Sequence, residues 1–137
     1  MLGDWYASLI HARPQLVVCM SERTLLVTLI PARDIKLISD RFRAAVSAQL
    51  QRIGVPAVAV EAEMLAMSEL RFAATANRRV LGCLREATFA LELELKHPRY
   101  SSLTEIEDFL GTNIYSTTEY RRPRELALEL LNAQHQK

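Results

Sequence analysis

Leu16-Val17-Val18-Cys19-Met20 is apolar at every position, and that run constrains the fold more than any other stretch of the chain. A strand with no polar face belongs in the centre of a sheet, covered on both sides. Its neighbours follow in order. Trp5 to His11 reads as a strand before it, separated by an Ala12-Arg13-Pro14 turn in which Pro14 presets φ and has no N–H to donate. Thr24 to Ile30, rich in β-branched residues and leucine, reads as a strand after it and stops at Pro31. Ser21-Glu22-Arg23 is the short polar link. Three consecutive strands with short links form an antiparallel meander.

From about Ile35 the apolar period changes from that of a strand to that of a helix. Ile38, Phe42, Ala45, Val46, Gln49, Leu50 and Ile53 share one face, opposite Lys36, Asp40, Arg41, Arg43, Gln51 and Arg52. Gly54 ends this helix, and Pro56 opens another that runs to about Glu69. In that second helix Val58, Val60, Leu65 and Met67 are expected inside, with Glu61, Glu63 and Glu69 outside. Leu70 to Thr75 alternates like a half-buried strand and is expected to join the meander as a fourth. Asn77 then caps the most apolar helix of the chain, with Val80, Leu81, Leu84, Ala87, Thr88, Leu91 and Leu95 at inward spacing. Gly82 lies inside it, where a glycine costs stability, and so is expected to mark close approach of another backbone.

Beyond Pro98 the composition shifts. Ser102-x-x-Glu105 and Thr104-x-x-Glu107 are overlapping capping boxes, which start a short acidic helix ending at Gly111. Asn113 to Tyr120 is polar loop. Pro123 opens a last helix with Leu126, Ala127, Leu130 and Leu131 as its apolar stripe. The fold class is therefore α+β: an N-terminal antiparallel β-meander plus a fourth strand, packed against helices, with a C-terminal helical tail. We expect two layers, with the helices on one face of the sheet. Residues 1–97 form the α+β core domain. Residues 98–137 form a helical extension packed on that core or on a second subunit. The stripe on so short a helix must be buried somewhere, which suggests a homodimer with Leu126, Leu130 and Leu131 in contact.

A chain of 137 residues with a net charge of +1 fits one domain and carries no global field for nucleic acid or membrane. Cys19 and Cys83 both lie in apolar runs, as small buried hydrophobes of a reducing compartment do. No apolar run approaches the ~20 residues that span a bilayer, and no secretory signal opens the chain, so the expected location is cytoplasmic, with no membrane association. His11, His97 and His135 are scattered, and no H-x-x-x-H, C-x-x-C, G-x-S-x-G, Walker loop or G-x-G-x-x-G occurs. No catalytic residue, metal site or cofactor is assigned.

Two arginine clusters stand out. Arg78 and Arg79 at the start of the Asn77 helix, with Arg71 and Arg85 nearby in sequence, could grip a phosphate or carboxylate together with first-turn N–H groups. Arginine there also opposes the helix dipole, a local rule broken without structural reward. The structural alternative is a solvated first turn, or pairing with Glu86 and the Glu105-Glu107-Asp108 segment. The second cluster, Arg121-Arg122-Pro123-Arg124 with Tyr115 and Tyr120, has the composition of protein interfaces and of single-stranded nucleic-acid surfaces alike. The candidate binding residues are Asn77, Arg78, Arg79, Arg85, Tyr115, Tyr120, Arg121, Arg122 and Arg124.

Gly3-Asp4-Trp5-Tyr6-Ala7-Ser8-Leu9, Ser21-Glu22-Arg23-Thr24-Leu25-Leu26 and Thr75-x-Asn77-Arg78-x-Val80-Leu81-Gly82 together resemble a family of small bacterial proteins of unknown function. Its pattern is W-x-A-N-L-L, then N-[ED]-[RK]-T-L, then T-N-N-R-S-V-L-G-S-M-N-D. The resemblance covers roughly Leu2 to Leu95. Here Ser8 replaces Asn, Ala76 and Arg79 replace Asn and Ser, and Arg85-Glu86 replaces Asn-Asp. The resemblance implies a shared fold and no catalytic role.

The residues thus favour a non-catalytic protein-binding factor, such as a small inhibitor or antitoxin-like protein of a bacterium or mobile element, with another protein as partner. A nucleic-acid-associated protein using the arginine clusters is the alternative, opposed by the near-neutral charge. An enzyme working through Asn77, Arg78 and Glu86 is a third.

Overall fold

A computed structural model describes residues 2, 4–10, 15–33, 35–68, 77–96, 102–111 and 122–135. It is an α+β fold. Three strands, β1 (Trp5–Ile10), β2 (Leu16–Ser21) and β3 (Val27–Pro31), form an antiparallel sheet in the order β1-β2-β3. A 3-10 turn at Ile35–Leu37 leads into α1 (Ile38–Arg52), followed by α2 (Ala57–Ala66), α3 (Arg78–Lys96), α4 (Leu103–Leu110) and α5 (Pro123–His135). The expected fourth strand from Leu70 to Thr75 lies outside the described residues, as does the Ala12-Arg13-Pro14 turn.

The all-apolar β2 is central, with Trp5 opposite Ser21 on one side and Leu16 opposite Pro31 on the other. Its side chains alternate between two separate cores, as the period of two requires. Leu16, Val18 and Met20 face a core shared with Val80, Cys83, Leu84, Ala87 and Leu91 of α3 and Ile106 and Leu110 of α4. Cys19 faces the other, with Phe42, Val46 and Leu50 of α1, Ala59 and Val60 of α2, and Ala127 and Leu131 of α5. Helices therefore cover both faces, which corrects the two-layer expectation. The physical reason lies in β2 itself: a strand apolar on both faces needs two apolar layers.

β3 begins at Val27 rather than Thr24 because the link is longer and tighter than its sequence suggests. The Leu25 N–H donates to the Ser21 carbonyl at 2.8 Å, and the Ser21 N–H to the Leu26 carbonyl at 2.9 Å. Leu25 takes a left-handed φ of 62°, a conformation that costs a non-glycine residue roughly 1–2 kcal/mol. Burial compensates: Leu25 joins the α3 core while its neighbour Leu26 joins the other.

α1 buries the face expected of it, including Gln49. It ends at Arg52 with Ile53 as its C-cap, and Gly54 follows with a φ of +97°, so that the Val55 N–H reaches the Leu50 carbonyl at 3.0 Å. α2 is turned differently from expectation. Val58 and Leu65 are exposed, whereas Glu63 is buried with Ala59 and Val60. The Leu2 N–H donates to Glu63 Oε1 at 3.2 Å, which gives one oxygen of a buried carboxylate a partner in a helix whose alanines and valines barely distinguish its sides.

In the tail, Ser102 caps α4 by accepting from the Glu105 N–H at 3.2 Å, as the capping box requires. The inner half of the α5 stripe, Ala127 and Leu131, is fully buried on its own chain. Leu126 and Leu130 are half-buried.

Candidate functional site

The three segments that carry the family resemblance meet at one end of the sheet. The Glu22 N–H in the β2–β3 link donates to the Asp4 carbonyl at 2.8 Å, and Ser21 Oγ donates to the Leu2 carbonyl at 2.7 Å. Ser21 Oγ also accepts from the Thr24 N–H at 3.3 Å, and Thr24 Oγ1 accepts from the Leu26 N–H at 3.3 Å. Asn77 joins this corner to α3. Its Oδ1 accepts from the Arg79 and Val80 N–H groups at 3.0 and 3.3 Å, and its Nδ2 donates to Glu22 Oε1 at 3.1 Å. Asn77 is thus both a helix cap and a tether. Two first-turn donors are already occupied, and a carboxylate stands beside them, which leaves this helix end poorly suited to hold a further anion.

Arg78 and Arg79 are exposed just beyond that cap, and Arg85 is exposed two turns along α3. All three lie on the outer side of a helix whose inner side is buried, together with Gly82, Glu86, Glu92 and two large apolar residues: Phe89, 63 % exposed, and Leu93, 45 %. A Cβ built on Gly82 would meet nothing within 4 Å. The expected close approach of another backbone within the chain is therefore absent among the described residues. Gly82 faces outward.

At the start of α5, Arg122 pairs with Glu125 at 3.3 Å, both side chains being about half exposed. Arg124 is exposed, and its backbone N–H donates to the Gly111 carbonyl at 3.2 Å, stitching α5 to the end of α4. Tyr115, Tyr120, Arg121 and Arg71 lie outside the described residues. Of the acidic α4 residues, Glu107 and Asp108 each lie 3.6 Å from the Arg52 guanidinium of α1.

Sequence reasoning missed a second polar site, along the edge of β3. Gln49 Nε2 donates to the Val27 carbonyl at 2.8 Å, and Thr28 Oγ1 donates to Gln49 Oε1 at 2.5 Å. Two residues on, the Leu29 N–H donates to the Glu107 carboxylate. Val27 and Leu29 turn their backbone groups the same way, so side chains of α1 and α4 occupy an edge that would otherwise offer itself to another strand. Burial raises Glu107 from 4.5 to about 7; the Arg52 charge and the Leu29 N–H pull it down, and the Asp108 charge adds to the rise. Burial, with the Glu107 charge adding to it, raises the Cys19 thiol to about 12, far from the thiolate that reacts. The available signal was Gln49, a polar residue inside the apolar stripe of α1.

Two open grooves accompany these features. One, of about 580 Å³, runs between α1 and α2 past Ser47, Gln51, Met64 and Leu65. The other, of about 270 Å³, lies where Arg23 and Thr24 face Leu126, Glu129 and Leu130 of α5. Neither includes Asn77, Arg78 or Glu86, the residues of the enzymatic alternative.

Residues 1–126 match a family described as a domain of unknown function, DUF6933. The chain belongs to this family. No curated protein and no solved structure matches it. Family membership spans both cores and both helical layers, from β1 into the start of α5.

Proposed function

We propose that this DUF6933 member is a non-catalytic protein-binding factor that works through the outer side of α3, in the manner of a small inhibitor or antitoxin-like protein of a bacterium or mobile element. The observation that carries this reading is the contrast across one helix. The inner side of α3 is buried, while the outer side presents Arg78 and Arg79 in its first turn, Arg85 further along and, one turn beyond Arg85, a Phe89 that is 63 % exposed. Arginine beside an exposed aromatic is the composition of interface hot spots, and among the described residues these four side chains belong to neither core. Among the described residues no helix is long and apolar enough to cross a membrane, and Cys19 and Cys83 are buried and form no disulfide. Both accord with a cytoplasmic setting.

The test is affinity capture from a bacterial lysate with the intact chain and with Arg78→Glu/Arg85→Glu, followed by mass spectrometry. A protein retained by the first and lost by the second is the expected result. Identical captures from both, or none from either by a chain that is also monomeric in solution, would refute the proposal.

A further inference from the structure

The outer side of α3 has a shape that fits a particular partner. Gly82 and Phe89 are seven residues apart, two helical turns, so both lie on the midline of the exposed arc. Arg78, Arg85 and Glu92 run along one flank of that midline; Arg79, Glu86 and Leu93 run along the other. The midline therefore offers a notch at Gly82 and a projection at Phe89, both turned to solvent. The flank is basic at its start and acidic towards its end. A glycine in the exposed interior of a helix lowers stability, and here a Cβ would meet no neighbour within 4 Å among the described residues.

We infer, resting on the reading of α3 as a binding surface, that its partner is a second copy of this chain, docked with the two α3 helices antiparallel. A two-fold axis passing between residues 85 and 86 sets Phe89 of each copy over Gly82 of the other. The same axis brings Arg78 of each copy to Glu92 of the other, so the charged pair forms twice. Helix dipoles favour the arrangement, since Arg78 at the positive end of its own helix meets the negative end of the other. Near the axis Arg85 of each copy falls beside Arg85 of the other, and Glu86 beside Glu86, at the solvated rim, where water and salt screen the like charges. The interface is isologous, with notch and projection supplied by one surface. Its place is α3, and the α5 leucines take no part.

Sedimentation equilibrium of the full chain over a range of concentrations tests this, with Arg78→Glu, Glu92→Lys and the double variant beside it. The expected result is a dimer that either single variant weakens by about tenfold or more and that the double variant restores. Gly82→Ala supplies a readout that a structural role would not give: it should raise the thermal midpoint of the monomer and weaken the dimer. Mixing Gly82→Cys with Phe89→Cys under oxidation should join unlike chains and leave each variant alone uncoupled. An intact chain that stays monomeric overturns the second copy as partner. If Arg78→Glu/Arg85→Glu still abolishes capture from lysate, the binding surface itself stands. If capture is unaffected too, both fall. A dimer indifferent to every one of these substitutions likewise overturns the α3 interface.

Discussion

Along the β3 edge, Thr28, Gln49 and Glu107 are almost inaccessible to water, whereas Glu22, Asn77, Arg78 and Arg79 at the hairpin corner are half-buried or exposed. Amides and carboxylates do similar things in both places: they take backbone groups at the end of a strand or the start of a helix. The depth differs, and with it the consequence of losing a partner. A buried donor or acceptor left unpaired costs the full desolvation of that group, while an exposed one turns to water. The edge is thus a structural device. The corner and the outer side of α3 that continues from it carry charge that the fold does not need.

The inner side of α3 gives the largest expected effect. Leu84 is 4 % exposed in the core against the sheet, and Leu84→Ala should lower stability by about 2–5 kcal/mol in urea unfolding. A loss below roughly 1 kcal/mol would put this side of α3 at the surface and erase the contrast across the helix.

Glu107 sharpens the comparison through pH. Its folded pKa of about 7 lies above the ordinary value of 4.5, so between those values the folded chain holds the proton more tightly than the unfolded chain. Its contribution is therefore fully present below about pH 4.5 and is lost as pH rises through about 7, the reverse of a salt-bridged surface carboxylate. The swing is on the order of 3 kcal/mol. Urea midpoints of the intact chain should fall between pH 5 and 8 relative to Glu107→Gln, which retains an acceptor for the Leu29 N–H. Parallel pH profiles for the two proteins would show that the carboxylate is not buried as described.

Asn77 is intermediate in exposure and should be intermediate in effect. Asn77→Ala removes the cap from Arg79 and Val80 and the bond to Glu22, for a loss of about 1 kcal/mol in the same unfolding measurement. Asn77→Ser, which can still cap, should recover most of it; equal losses would mean that the bond to Glu22 carries the effect. The smallest change belongs to the exposed arc. Arg78→Ala, Arg85→Ala and Phe89→Ser should each shift the stability of the monomer by no more than about 0.5 kcal/mol. A loss of several times that would make these side chains structural and remove the ground for a binding surface there.

Much of this architecture was legible in the chain. Local rules act over a few residues, and they located the three-strand meander, the Gly54 and Pro56 break, the Asn77 and Ser102 caps and the opening of α5 at Pro123. The central place of β2 was also legible, because a strand without a polar side has only one kind of environment open to it. The candidate site was legible only as composition. That Arg78, Arg79 and Arg85 share the outer side of α3 follows from spacing, but the reach of Asn77 to Glu22, across 55 positions, does not.

What tertiary structure decided is what depends on partners distant in sequence. The choice of α1, α2 and α5 as one covering layer, the sealed edge of β3 and the pairing of Glu107 with Arg52 each join segments that no local pattern connects. α2 shows the reason most plainly. Its alanines and valines give it no strong apolar side, so its own sequence determined that it is a helix without determining which way it faces. The choice fell to Glu63, whose carboxylate could go inward because the Leu2 N–H, 61 positions away, was there to meet it.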